Sequence, residues 1–384
     1  LYRYPNLSDP YTVSSEAAIT VGTNNGDLYY NLYGDQNGPI PASYPKGYAA
    51  FYCMKYETSQ EQWITFFNLL TLTQQTNLDI TPRKGFNRVV TRNGILWQSG
   101  GGDATTTNPF VPINFIFKTE MSAYLDWACL RYMSELEFTK ACRGPLPAVT
   151  GEFAWGNPDI QQNHSYSLLN PGTVNEQISN PGVNVGNALQ IQNYDGANYG
   201  PFRCGIFAAS ASTTNREETG GSYYGIMEMS GNLFETVAAI SGSNGRNYTD
   251  AHGNGIINGL GYGSVFRWSS LILGLRGGAF YWERKGSCVA NRRFADTLIA
   301  DEKVGYVTGK MVYTNQDGSL VGDGCSSYMK YENWLRAQET QVGSVVGVDG
   351  GIDAMRHSLY ETLNADQLPD FVQPLKVTEK GYRV

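Results

Sequence analysis

The stretch "YETSQEQWITFFNLL", residues 56–70, reads as the opening of a helix. Thr58 or Ser59 supplies a capping hydroxyl, Glu61 and Gln62 fall in the first turn, and Trp63, Phe66, Phe67 and Leu70 recur on one face. Outward from it, "KTEMSAYLDWACLRYM" (118–133) predicts a second helix and "SELEFTKACRG" (134–144) a third. In the third, Ser134 precedes Glu137 in capping-box spacing and Gly144 stops the run. Beyond residue 144 the chain turns into short apolar pieces between Asn, Gly, Pro and Ser clusters, the pattern of irregular loops held by a few strands. Neither an internal repeat nor a low-complexity tract is visible.

Composition narrows the partners. Charged residues make up 16% of the 384, the net charge is -7, and there are 44 Gly and 26 Tyr, so the surface is neutral-polar and aromatic. With no basic cluster longer than "RRF", nucleic acid and anionic membrane are disfavoured, whereas protein, carbohydrate and metal ions fit. No apolar run approaches the ~18 residues of a membrane helix. The sequence starts at Leu1 without signal-peptide character, which suggests a removed upstream segment and hence an exported protein, extracellular or on a cell or virion surface. The six cysteines, Cys53, Cys129, Cys142, Cys204, Cys288 and Cys325, are widely spaced with no CxxC, and spacing alone does not pair them.

Several segments, in order, carry a resemblance: "FYCMKYETSQEQWITFFN" (51–68), "PIN" (112–114), "RYMSELEFTKACRG" (131–144), "FAWGN" (153–157), "GIMEMSGNLFETV" (225–237), "LRGG" (275–278) and "GYRV" (381–384). Together they resemble the formylglycine-generating-enzyme, or sulfatase-modifying-factor, family. The resemblance implies an α+β domain of the C-type-lectin-like class, with small antiparallel sheets, few helices and long loops. It also implies a division of the chain: residues 1–45 as an N-terminal extension or first strands, 46–295 with 381–384 as the domain, and 296–380 as an insertion lobe where the family has a short loop. "GYRV" would be the strand that closes the sheet.

Catalytic members of the family oxidise a substrate cysteine with a copper-binding cysteine pair just after the glycine pair. A soft thiolate both binds copper(I) and exchanges with substrate sulfur. Here "GGAFYWERKGSC" sets Trp282 at the first position and Ser287 at the second, with Cys288 beside it. An indole N–H offers no lone pair to a metal, so copper chemistry is not expected, and Cys288 reads as a small apolar strand residue. His164, His252 and His357 are isolated and read as surface or core residues, not ligands. The glycine turns "GTNNGD" and "GYGS" lack a phosphate loop's lysine, and the carboxylate pairs Glu135/Glu137 and Glu217/Glu218 read as ordinary helix or loop acids.

The resemblance also implies calcium at the "EMSGNLFE" turn, through Glu228, Gly231, Leu233 and Glu235, since six to eight oxygens can converge from one tight glycine-containing loop. A second site would use Asn163 and Asp195. Around the former active site, Phe280, Tyr281, Trp282, Glu283, Arg284 and Arg292 form a candidate ligand face. Strand parity would put Phe280 and Trp282 on one side and Tyr281 and Glu283 on the other. The expectation is a non-catalytic binding or adhesion module for a protein or carbohydrate ligand. The alternatives are a structural subunit contacting its own copies or other subunits of an extracellular assembly (filament, tail fibre, motility or secretion apparatus), and a surviving oxidase.

Overall fold

The computed structural model describes residues 1–30, 35, 38–82, 91–161, 166–190, 198–265, 268, 271, 273–282, 284–292, 306–308, 353–355, 363 and 369–380. The chain divides into two compact units, Leu1–Ala300 and Asp301–Val384.

In the first unit the three expected helices form, with edges set by capping. Helix α1 (Gln60–Phe67) begins at Ser59, whose hydroxyl accepts the Gln62 N–H at 3.2 Å while the Gln62 side chain returns to the Ser59 N–H at 2.8 Å. A second helix that the sequence reading missed, α2 (Leu72–Asn77), starts with the same device at Thr71 and Gln74. Helix α3 (Lys118–Trp127) is shorter than the expected 118–133. Cys129 adopts φ 56°, its N–H bonds the Asp126 carbonyl at 3.1 Å, and the Leu130 N–H bonds the Leu125 carbonyl at 2.8 Å. This is a Schellman closure with cysteine in the place glycine usually takes, so no glycine announced it. Helix α4 (Glu135–Arg143) has the predicted box between Ser134 and Glu137 and ends at Gly144, φ 67°.

Strands β1 (Tyr2–Arg3), β2 (Asn6–Pro10), β3 (Ile19–Val21), β4 (Leu28–Tyr29) and β5 (Gly38–Ile40) make a sheet in the order β2-β1-β4-β3-β5. These N-terminal strands build a sheet whose Ile19, Val21, Leu28 and Ile40 pack into one core cluster with Tyr132, Ala238 and Leu273. Strands β6 (Ile95–Leu96) with β7 (Thr105–Thr106), and β9 (Leu168–Leu169) with β10 (Gln177–Ile178), are two-residue ribbons. The central sheet runs β12 (Leu273–Arg276), β11 (Glu235–Ala238), β8 (Met133–Ser134). Its β11/β12 pairing is antiparallel, but β8/β11 and β3/β4 are parallel, so the small sheets are mixed and not purely antiparallel. Short helices α5 (Ile206–Ser210), α6 (Arg216–Thr219) and α7 (Ser243–Arg246) interrupt the loops.

One buried ion cluster ties these parts together. Glu135, at the start of α4, receives Arg276 of β12 at 2.8 Å, Arg292 through Nε and through Nη2 (3.1 Å), and the Ile240 N–H at 3.1 Å. Burial pushes its carboxyl up, but Arg292 and Arg276 overcome this and hold it at about 2. In the second unit, β13 (Tyr306–Thr308) pairs antiparallel with β14 (Asp353–Met355), and α8 spans Pro369–Glu379. Residues 381–384, and most of 296–380, lie outside the described residues.

Candidate functional site

The turn that leads into β11 is built by backbone that few residues tolerate. Glu228 (φ 57°), Gly231 (φ 86°) and Asn232 (φ 61°) all occupy the left-handed region. Gly231 is required twice over, because a Cβ there would collide with the Leu189 carbonyl while its N–H bonds the Gly277 carbonyl at 2.8 Å. Asn232 locks the turn from outside: its N–H bonds the Leu189 carbonyl at 2.9 Å, its Oδ1 accepts the Phe202 N–H at 2.8 Å, and its carbonyl accepts the Phe280 N–H at 2.8 Å.

Three carboxyl groups gather around this turn. Glu228 Oε1 accepts the Gly205 N–H at 3.0 Å. Glu57 accepts the Leu233 N–H at 2.9 Å and the Asn232 amide. The second oxygens of Glu228 and Glu235 are buried with no hydrogen-bond partner. Burial pushes Glu228 up to about 7. Burial, then the neighbouring Glu228, holds Glu57 well above the usual carboxylate range, and burial with Glu57 does the same to Glu235. Arg203 near Glu228 and Arg276 near Glu235 offset only part of this cost.

The segment after the glycine pair differs from a strand. A turn closes from Ala279 to Trp282, with the Trp282 N–H on the Ala279 carbonyl at 2.9 Å, and a 3₁₀ turn, Arg284–Ser287, follows. The Trp282 indole lies against Gly286 so closely that a Cβ there would strike it, and Ser287 is fully buried against Gly278. The family model of the sulfatase-modifying factor enzyme 1-like domain matches residues 8–306. The chain belongs to this family. No curated protein matches the chain.

Against this sulfatase-modifying-factor domain, with its C-type-lectin-like α+β fold, the expected ligand face is only partly a surface. Tyr281 is 48% exposed and Trp282 half-buried. Phe280, by contrast, is 5% exposed in a core cluster with Leu189, Phe202 and Phe207. Arg292 is 9% exposed, spent on Glu135 and stacked 4.6 Å from the Tyr30 ring centre, so neither residue is offered to a ligand. Glu283 and the Arg284 side chain lie outside the described residues, as do Asn163, Asp195, His164 and His357. His252 is exposed. Cys288 is half-buried beside Phe153 and Trp155, in a turn and not on a strand, and its thiol is pushed up to about 11 by burial and Glu152. All five described cysteines are free.

For a metal, the sulfatase-modifying-factor turn offers the two unpartnered oxygens of Glu228 and Glu235, with the Gly231 and Leu233 carbonyls between them in sequence. Buried carboxyl oxygens without a hydrogen-bond partner fit a hard cation. Among the described residues no three or more His, Cys, Asp or Glu converge closely enough to hold a metal, so main-chain oxygens would have to complete the shell. Glu57, 171 positions before Glu228, was missed by sequence reasoning. Its one signal was an acid two residues before the helix cap in "KYETSQ".

Beside the turn lies a cavity of about 500 Å³ that runs from exposed Tyr52 and Met54 to core residues Trp63 and Tyr124. Met54, Met121, Met133, Met227 and Met229, five of the eight methionines in the chain, line it together with Glu57, Arg131, Glu137, Glu235, Asp250 and His252, so deformable thioether walls alternate with ionisable groups.

Proposed function

We propose that this chain is a non-catalytic binding module of an exported or surface-borne protein, which engages a protein or carbohydrate ligand through the face that carries catalysis elsewhere in its family. The observation behind this is Trp282. Its indole fills the niche over Gly286, where the resemblance puts the first thiol, and the second position is a buried serine hydroxyl. The adjoining Cys288 thiol, held up near 11, is the opposite of a poised thiolate. Phe234, Tyr281 and Trp282 meet as a ring cluster, with centroids 6.3, 6.2 and 6.0 Å apart, and Tyr281 stands out from it. Flat aromatics with low side-chain entropy suit contact with sugars or peptides. Calcium, held by Glu228 and Glu235 with the carbonyls of Gly231 and Leu233, would neutralise the turn and brace β11 behind this face.

Two measurements test the reading. Copper-dependent oxidation of a cysteine-containing peptide is expected to stay at the buffer blank, and turnover above it would overturn the proposal. On arrays of immobilised glycans and peptides, Tyr281→Ala is expected to abolish capture while leaving the melting temperature unchanged. Capture unaffected by Tyr281→Ala would remove this face from the proposal.

A further inference from the structure

We infer that the methionine-lined cavity and the segment at its mouth form a groove for an extended stretch of another polypeptide, which adds as a strand along Ala50–Tyr56 and sends apolar side chains between the methionines. The inference rests on the binding role proposed above and specifies the ligand as peptide. Residues 51–54 already alternate like a strand: Phe51 and Cys53 are half-buried and pack with Met133 against the core, whereas Tyr52 and Met54 are exposed. Yet the segment has no ladder. Among the described residues, the main chain of Ala50–Tyr56 makes one hydrogen bond, the Lys55 carbonyl accepting the Met227 N–H at 2.9 Å.

A row of unmet N–H and C=O groups is a template for strand addition. The opposite wall adds a short strand edge. Strand β8 covers only Val237 and Ala238 of β11, so that edge continues past Glu235 and Thr236, which line the same cavity. Phe234 joins the two regions, because it lines the cavity and also touches the rings of Tyr281 and Trp282. The groove is thus continuous with the proposed binding face. A row of main-chain N–H and C=O groups at strand spacing matches the repeat of a peptide backbone, and thioether walls accept varied apolar side chains.

The test uses the full chain and a labelled hexapeptide alternating Thr with Leu and Phe, beside a version with proline at alternate positions. Hydrogen exchange at amides 50–56 is expected to be fast in the free monomer and to slow at least about tenfold with the first peptide. The proline version should not bind, and Met54→Lys, at an exposed site, should weaken the first peptide at least about tenfold. Amides 50–56 already slow in the isolated monomer would overturn the inference, because the edge would then be covered without a partner. So would binding that leaves these amides fast, or no binding at all. If Tyr281→Ala abolishes array capture while these amides stay unprotected, the groove fails and the binding face stands.

Discussion

Glu135→Gln should separate the electrostatics of the buried cluster from its packing. The substitution keeps the side chain's shape but leaves Arg276 and Arg292, whose side chains are 2% and 8% exposed, without a counter-charge, and turns an amide N–H toward groups that donate. Two routes give the size. A carboxyl held at about 2 instead of 4.5 is worth about 3 kcal/mol at 1.36 kcal/mol per pK unit. Breaking a buried pair by removing one partner costs about 3–5 kcal/mol. For a unit of this size, 3 kcal/mol lowers the melting temperature by about 5 °C. The pH dependence follows from the sign. Because the folded pKa is depressed, the stabilisation is fully present above 4.5 and disappears as pH falls toward 2. Urea titrations of parent and variant from pH 7 to pH 2 should therefore show a gap of about 3 kcal/mol that closes in acid. A gap under about 1 kcal/mol at pH 7, or one that persists at pH 2, would refute the reasoning.

Three further outcomes follow from the same geometry. Calcium at a hundred times its dissociation constant should stabilise the protein by about 2.7 kcal/mol, and a combined Glu228→Gln, Glu235→Gln variant should show no difference between calcium and chelator in a thermal melt. Gly231→Ala, at φ 86° and against the Leu189 carbonyl, should cost more than about 1 kcal/mol by urea denaturation; a neutral result would mean that the turn relaxes freely. Replacing residues 300–376 with a short Gly-Ser linker should leave a soluble product with a cooperative melt, since each doubling of loop length adds only about 0.6 kcal/mol of closure entropy. An insoluble or molten product would show that this stretch belongs to the core.

What the sequence by itself determined was local or ordered along the chain. The box at Ser134 forms as read, and of the two expected cap residues it is Ser59 that caps α1, because a hydroxyl and an acid or amide three residues apart satisfy helix N–H groups without outside help. The glycine-containing turn at 228–235 was legible through the resemblance, and the succession of motifs pointed to the family to which the chain belongs. Only the tertiary structure decided the rest. The strand parity read for 280–283 lost its basis because a hydrogen-bonded turn from Ala279 to Trp282 replaces the strand, so Phe280 enters the core for a reason that period-two alternation does not contain. Arg292 reads in sequence like any exposed arginine. It is buried because Glu135, 157 positions earlier, needs its charge once α4 and β12 are packed together. Glu57 joins Glu228 and Glu235 only after the chain returns across 171 residues. In each case the deciding term is the desolvation of a charged or apolar group by a distant segment, and spacing along a chain carries no record of which segments will meet.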